Sequence, residues 1–326
     1  MKKFMKGCGI TALILLAVGF VLAAVAGTIR GRTVISEVVE AATGGRVHLN
    51  LGNWWEWGFE SWGDLFDNIG DSMGEVDYGI GESMDFNRNY DVLSGDVKKY
   101  SVGDQVQKLE IEVGGCRLIT KSSGDNSFYA EAQNIGKFQC FVEGDTLYVK
   151  SITSSRKWNQ LKNAKITLYV PDGSSFEEAD IELGAGVLEF EELSAKQAFL
   201  EVGAGQIKIS RARVQELEVN VGLGQIVLQD MDVAELEAEI GMGELEARGA
   251  ITEKADIICS MGNVEMTVDG REEDFNFDLQ GGMGNMDVGS MSHSGLGFER
   301  TADNGAAKKM TLECSMGNVS VRFTGE

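Results

Sequence analysis

The second half of the chain repeats a pattern in which apolar and polar residues alternate on both sides of a glycine pair. Two glycines separated by one residue recur every 19 positions, at Gly184 and Gly186, Gly203 and Gly205, Gly222 and Gly224, and Gly241 and Gly243. The same interval reaches Gly262, and related corners follow at Gly282, Gly284 and Gly317. A fixed period over several consecutive steps is the signature of a repeat architecture.

Each repeat is predicted to contain a strand, a glycine corner and a second strand. Leu200 and Val219 alternate with polar residues before the corner, and Ile207 and Ile226 do the same after it. A period of two is typical of strands with one buried face. The corner is expected to need glycine either for a positive φ or for a close approach of two backbones. We expect the residue between the glycines, such as Met242, to point inward and fill the corner.

Stacking of the repeats predicts an all-β fold, a β-solenoid similar to a parallel β-helix, with coils of 19 residues. The solenoid domain is expected to cover residues 105–326, with residues 105–170 as its first coils. Gly144 marks a predicted hairpin turn, and Pro171 begins a second turn. The last predicted strand, residues 318–323, reaches almost to the end of the chain without an obvious cap.

Stacked coils also align outward side chains in files. The carboxylates that could form an acidic binding face are Glu182, Glu201, Glu237, Glu239, Asp256 and Asp278. We expect Glu182 and Glu201 to lie one coil apart. A second file is expected from Glu237, Asp256 and Asp278. Like charges at this spacing repel, so either a bound divalent cation relieves the repulsion or the carboxylates splay into water.

Amide side chains are expected to form a file of their own. Asn263, Asn285 and Asn318 share one repeat position, which Gln206 and Gln225 occupy earlier in the chain. Amide ladders stabilise stacked strands. The file therefore predicts a structural role for these residues.

The N-terminus is predicted to be a membrane anchor. Three lysines precede an uncharged apolar stretch, and residues 10–29 are long enough, at about 1.5 Å per residue, to cross a hydrocarbon core of about 30 Å. Residues 1–32 are therefore interpreted as a retained, single-pass transmembrane signal-anchor with a cytoplasmic N-terminus, which places the C-terminal domain outside the cell. The alternative is a signal peptide cleaved near residues 24–26.

Residues 33–104 are predicted to be a juxtamembrane helical segment followed by a Gly- and Asp-rich stalk. Within this segment, residues 53–70 carry four of the five tryptophans. Apolar residues there recur at helical spacing, opposite an acidic face, at Trp55, Phe59, Trp62, Phe66 and Ile69. Two interpretations stay open: a helix that binds the membrane interface or a partner, and a helix packed on its own domain.

Composition and charge narrow the range of possible functions. The chain has 326 residues, of which 29 are Lys or Arg and 51 are Asp or Glu, so its formal net charge is −22. This charge argues against nucleic-acid binding, which needs a basic face, and favours divalent cations or cationic peptides as partners. The chain has only two histidines, which argues against a multi-histidine metal site. No catalytic, cofactor-binding or metal-binding residue is predicted.

The five cysteines show no metal-binding spacing. Cys259 and Cys314 occupy the inward repeat position that holds Val202 and Val221 in earlier repeats. Both are predicted to be buried apolar residues with free thiols. Two cysteines could pair only where neighbouring coils bring them together.

Several of these features together resemble a bacterial protein family. The glycine-cornered strand repeats, the hairpin at residues 144–149 and the sequence ITLYVPDG at residues 166–173 resemble the putative-adhesin domains of unknown function with β-strand repeats, which occur in cell-envelope proteins. The resemblance covers roughly residues 105–326. It implies a β-solenoid on an anchored envelope protein, sometimes linked to envelope-stress responses. It transfers no catalytic residues, because the family has no defined active site.

The sequence therefore predicts a non-enzymatic, membrane-anchored cell-envelope protein that presents an acidic β-solenoid for adhesion, ligand binding or envelope-stress sensing. The alternative is a self-assembling, bactofilin-like scaffold that associates through the unpaired ends of the solenoid. A polysaccharide-active β-helix enzyme is a third class. It would need a cluster of acidic or basic residues in a groove, whereas the carboxylates of this chain repeat.

Overall fold

The computed structural model describes residues 89–103, 106–153 and 163–325. The predicted signal-anchor and the tryptophan-rich helix lie outside these described residues. Within them, no helix is long and apolar enough to cross a membrane.

The described part of the chain is all-β, with nineteen strands, one short 3-10 helix at Glu272–Asp274 and no α-helix. The strands before the regular repeats are β1 Lys98–Gly103, β2 Lys108–Gly114, β3 Cys116–Ser122, β4 Phe128–Gln133, β5 Lys137–Glu143, β6 Thr146–Ile152, β7 Lys165–Val170 and β8 Phe176–Leu183. Four long strands follow, β9 Gly186–Val202, β10 Gln206–Val221, β11 Gln225–Ile240 and β12 Glu244–Cys259. The last strands are β13 Asn263–Val268, β14 Phe275–Gly281, β15 Asn285–Val288, β16 Met291–Ser294, β17 Phe298–Ala302, β18 Lys308–Cys314 and β19 Asn318–Phe323.

The four long strands stack in parallel with a constant offset. Leu188 pairs with Ile207, Ile207 with Ile226, and Ile226 with Leu245, so equivalent residues of successive 19-residue repeats lie side by side. Each long strand leaves one glycine corner and ends at the next one. The predicted parallel stacking of 19-residue repeats is confirmed in this part of the domain.

At the C-terminal end of the stack, the order of coils differs from the order of the chain. Strand β18 lies between β12 and β14, and β19 lies between β13 and β15. The expectation that the last strand forms an uncapped end is therefore wrong, because β19 is paired along both edges. The end is formed instead by β16 and β17, which pair antiparallel with β15 and β14. Glu299 and Arg300 lie exposed on the edge strand β17. Charged residues on an edge strand disfavour the addition of a further strand.

The N-terminal end of the stack has the same kind of rearrangement. The coil of β2 and β3 lies inside the stack. Strand β2 lies between β6 and β8, and β3 lies between β7 and β9. Antiparallel strands again occupy the end, since β5 pairs with β6, and β4 pairs with β7 and β1. The predicted turn at Gly144 joins β5 to β6, with a φ of 66° at that residue. Strand β1, from the segment assigned to the stalk, is part of this end.

The core lies between the two halves of each coil. Leu200, Ile207, Val219 and Ile226 have no exposed surface, whereas their polar neighbours along each strand point outward. The two halves of each coil thus bury their apolar residues in one continuous core.

The second glycine of each corner is required by close backbone approach. A Cβ on Gly224 would lie 2.4 Å from the carbonyl oxygen of Gly205, and a Cβ on Gly243 would lie 2.2 Å from that of Gly224. Close backbone approach, rather than a positive φ, therefore explains the glycine at this position. Among the second corner glycines that the structure describes, only Gly186 has a positive φ. The first corner position is less restricted, because Ser260 occupies it in a later coil.

Candidate functional site

From Leu223 onward, the residues between the corner glycines reach solvent, whereas Ala185 in the first corner is buried. Leu223 is 46% exposed, Met242 42% and Met283 61%. The expectation that these residues fill the corner is wrong, because other side chains already fill it. A Cβ on Gly224 would lie 2.7 Å from Cγ2 of Val202, the inward residue of the preceding coil. The middle residue therefore has no space inside and turns outward.

Together with half-buried Met261 and Met316, these exposed residues form a continuous line that we call the methionine ridge: Leu223, Met242, Met261, Met316 and Met283. The order is set by backbone hydrogen bonds between coils. The amide of Met261 donates to Gly241 O at 2.8 Å, that of Met316 to Ser260 O at 2.8 Å, and that of Met283 to Ser315 O at 2.7 Å. Residues that are irregularly spaced in the chain thus become neighbours about 4.8 Å apart.

A hydrogen-bonded ladder runs along one side of the methionine ridge. It contains Gln206, Gln225, Glu244, Asn263 and Asn318. The Gln206 amide donates to Gln225 Oε1 at 2.6 Å, and Asn318 Nδ2 donates to Asn263 Oδ1 at 3.1 Å. Asn285 is the register partner of Asn318. The predicted amide file therefore exists. Glu244 joins its two halves by accepting from Gln225 at 2.9 Å and from Asn263 at 3.0 Å.

The other side of the methionine ridge carries the predicted carboxylates, which we call the acidic face: Glu182, Glu201, Glu237, Glu239, Asp256 and Asp278. Glu182 and Glu201 are register partners, one coil apart as expected. Glu237 and Asp256 are also partners. Asp278 does not continue this file directly, because β18 inserts Thr311 between Asp256 and Asp278. The three-carboxylate file is therefore interrupted, and the expectation of three adjacent carboxylates is wrong.

Basic residues neutralise parts of this surface. Lys254 Nζ lies 3.0 Å from Glu235 Oε2 and 3.6 Å from Asp256 Oδ2. Nearer the N-terminal end, Lys150 Nζ lies 2.8 Å from Glu110 Oε1 and 2.9 Å from Glu112 Oε1. Burial raises the pKa of Glu112, and the Lys150 ammonium acts in the opposite direction by lowering it. Lys150 is therefore the shared ion-pair partner of two partly buried carboxylates.

The described residues contain no group of three or more His, Cys, Asp and Glu side chains that could hold a metal ion. His293 Nε2 is buried without a hydrogen-bond partner, and its ring lies 3.9 Å from that of Phe298. The ring borders a cavity of about 200 Å³ between the end strands, which Leu279 and Met286 also line. No repeat pattern in the sequence predicts this cavity, because the cavity depends on how the end strands reverse.

The chemistry of the surface differs on the two sides of the corner. Apolar, flexible side chains project from the methionine ridge, and Ile258, 44% exposed, extends the apolar surface onto the acidic face between Glu239 and Glu313. The carboxylates repeat from coil to coil rather than converging on one point. Such a surface can bind a partner that is both apolar and basic.

Solved structures from several bacteria are similar to this chain. A putative adhesin from Bacteroides fragilis shares 16% identity with a TM-score of 0.40, over 69% of this chain and 96% of that chain. A putative lipid binding protein from Parabacteroides distasonis shares 13% identity with a TM-score of 0.41, over 72% and 100%. A putative cell adhesion protein from Clostridium sporogenes shares 9% identity with a TM-score of 0.29, over 70% and 99%.

No curated protein shows a significant match to the chain. The family model described as Toastrack DUF4097 matches residues 106–288, which is more than half of the chain. The resemblance to domains of unknown function with β-strand repeats is thereby confirmed. The chain belongs to the Toastrack DUF4097 family.

Proposed function

We propose that the domain is a non-enzymatic binding module of a membrane-anchored cell-envelope protein. In this proposal, the methionine ridge and the adjacent acidic face bind basic amphipathic peptide segments. The observation that carries the proposal is the line of exposed apolar side chains at the corners, three of which, Leu223, Met242 and Met283, are more than 40% exposed.

Leu296 enlarges the apolar part of this surface at the Met283 end of the methionine ridge. Leu296 is 80% exposed, and the amide of its neighbour Gly297 donates to Gly282 O at 2.6 Å, which places Leu296 close to Met283. Contiguous exposed apolar residues with a polar rim are typical of interaction sites. Methionine adapts its shape to different partners, so a methionine-rich surface favours recognition of a class of peptides rather than one sequence.

The charged part of the surface determines the chemistry of the partner. Glu239 and Glu313 flank Ile258 on the acidic face, and Glu244 lies in the amide ladder on the opposite side of the methionine ridge. Carboxylates on both sides attract basic residues and repel anionic lipid headgroups. Five ridge residues about 4.8 Å apart span about 19 Å, which matches an amphipathic helix of about 13 residues.

Binding can be measured with a fluorescein-labelled peptide of leucine and lysine arranged as an amphipathic helix. The full-length chain in zwitterionic nanodiscs is titrated against the peptide, and fluorescence anisotropy reports the fraction bound. The proposal predicts a micromolar Kd that weakens as salt is raised. Empty nanodiscs and a scrambled peptide of the same composition give the background.

A ridge variant separates specific docking from charge attraction. Replacing Leu223, Met242 and Met283 with glutamine is expected to weaken binding about 100-fold, because it removes about 1 kcal/mol of apolar burial at each of the three positions. The matched control replaces the same residues with other apolar ones, Leu223→Met, Met242→Leu and Met283→Leu, and is expected to bind like the original chain. Equal binding by the glutamine variant would show that the ridge is not the binding surface.

Membrane anchoring through residues 10–29, an extracellular location and the absence of catalysis complete the proposal. They rest on the apolar N-terminal segment and on the repeating carboxylates of the sequence. The bactofilin-like alternative is less favoured, because reversed strands occupy both ends of the stack. Protease treatment of intact cells tests the location: loss of the full-length band supports an extracellular domain. Protection until lysis contradicts it.

A further inference from the structure

We propose that Cys259 and Cys314 form an intramolecular disulfide that ties the C-terminal end coils to the body of the stack. The two residues are 55 positions apart in the chain, and they become register partners because β18 lies directly beside β12. The pairing therefore depends on the inserted coil, and the order of repeats in the sequence conceals it.

The backbone geometry fits a disulfide. Partners in a parallel ladder lie about 4.8 Å apart, within the usual Cα–Cα range of about 4.4–6.8 Å for disulfides. Both side chains occupy the same inward repeat position, with 0% exposure at Cys259 and 3% at Cys314.

The position of the Cys259 sulfur also favours pairing. A Cβ on Gly317 would lie 2.6 Å from Cys259 Sγ, so this sulfur already leans toward the coil that contains Cys314. Cys314 Sγ leans the same way along the stack, toward the next coil, since a Cβ on Gly284 would lie 2.7 Å from it. The Cys314 side chain therefore has to rotate toward Cys259 before the bond can form.

The two thiols also interact directly. The neighbouring Cys259 thiol lowers the pKa of Cys314, and the pKa of Cys259 is raised. The thiolate is the reactive form of cysteine. Cys314 is therefore the thiol that attacks first, and Cys259 is the one that resolves the intermediate.

The expected chemistry is thiol–disulfide exchange with a low-molecular-weight disulfide. The Cys314 thiolate attacks one sulfur of the oxidant, which forms a mixed disulfide and releases one thiolate. Cys259 loses its proton and attacks Cys314 Sγ, which forms the Cys259–Cys314 bond and releases the second thiolate. The protein loses two electrons and two protons, and the oxidant is reduced to two thiols. Because both sulfurs are buried in the closed stack, the exchange occurs while the end coils are open.

The bond would enclose the segment that caps the stack. Strands β13 to β17 lie between the two cysteines in the chain, so the closed loop contains the reversed end strands. The other described cysteines serve as internal controls. Cys116 contacts Ser151 Oγ at 3.4 Å near the opposite end, and Cys140 lies on β5.

The test uses the full-length chain, purified reduced and then incubated with oxidised glutathione. Remaining thiols are alkylated under denaturing conditions, and peptide mapping by mass spectrometry identifies the linked peptides. The expected result is a Cys259–Cys314 disulfide with Cys116 and Cys140 alkylated. The midpoint of thermal unfolding should also rise by about 5 °C or more, and dithiothreitol should reverse the rise.

A valine variant keeps the test interpretable. Cys259→Val places at this position the residue found in the equivalent coils at Val202 and Val221, so the variant is expected to fold. Its midpoint should not respond to oxidised glutathione. Alkylation of both Cys259 and Cys314 after oxidation would overturn the proposal. Glutathione adducts on Cys314 without the Cys259 bond would overturn it equally.

Discussion

Substitution of Gly243, the second glycine of its corner, is predicted to destabilise the domain much more than substitution of Gly241, the first glycine of the same corner. In Gly243→Ala, the added Cβ would lie 2.2 Å from Gly224 O and 2.5 Å from Val221 Cγ1. Ordinary contact begins near 3.4 Å, so neighbouring coils would have to separate by about 1 Å at this point. Neither neighbour can move easily, because one is backbone and the other is in the core.

The cost can be estimated from the contacts that this separation would break. Glu244 N donates to Gly224 O at 2.9 Å, and Gly243 N donates to Gly222 O at 3.0 Å. Weakening these two bonds costs about 1 kcal/mol each, and overpacking adds about 1–3 kcal/mol. The lower entropy of the unfolded alanine chain returns about 0.4–1 kcal/mol. The net loss of unfolding free energy is therefore about 3 kcal/mol.

Gly241→Ser is the matched control. A Cβ on Gly241 would lie 3.1 Å from Gly222 O, and serine already occupies the equivalent corner position at Ser260. Its unfolding free energy should change by less than about 1 kcal/mol. Urea unfolding followed by circular dichroism should shift by about 1 M for Gly243→Ala and little for the control. Equal midpoints for the two variants would refute the close-approach explanation of the corners.

Two further substitutions test polar contacts on the outer surface of the stack. Lys150→Met should lower stability by about 2 kcal/mol at pH 7 because it leaves two carboxylates without their partner. Burial raises the folded-state pKa of Glu112 above its unfolded value, so the folded state binds the proton more tightly and the deficit should shrink as the pH falls toward 5. Urea unfolding at both pH values checks this, and an unchanged deficit would contradict it. Glu244→Leu removes the acceptor for Gln225 and Asn263 and should cost about 1–2 kcal/mol; an unchanged thermal midpoint would show that the ladder contributes nothing to stability.

The sequence predicted the repeat and its stacking because both depend on local pattern. The 19-residue interval set the register that pairs Ile207 with Ile226. The shared position of Gln206 and Gln225 predicted their hydrogen bond for the same reason. Wherever consecutive repeats are also neighbours in space, spacing along the chain is enough to identify partners.

Two features could not be predicted in this way. Insertion of β18 between β12 and β14 makes Thr311 the neighbour of Asp256, and no periodic pattern encodes an exchange of coil order. The direction of Met242 depends on the space left inside the corner, which the side chains of the preceding coil determine. The exposed methionine ridge therefore depends on how the corners pack in three dimensions, which the repeat pattern does not encode.

The role of the methionine ridge can be tested residue by residue with methyl-labelled methionine. In NMR spectra of the full-length chain, titration with the basic amphipathic peptide should shift the methyl signals of the ridge residues Met242, Met261, Met316 and Met283. The signals of buried Met231 and other core methionines should stay in place. Ridge signals that remain unchanged while the peptide binds would contradict the proposed binding surface.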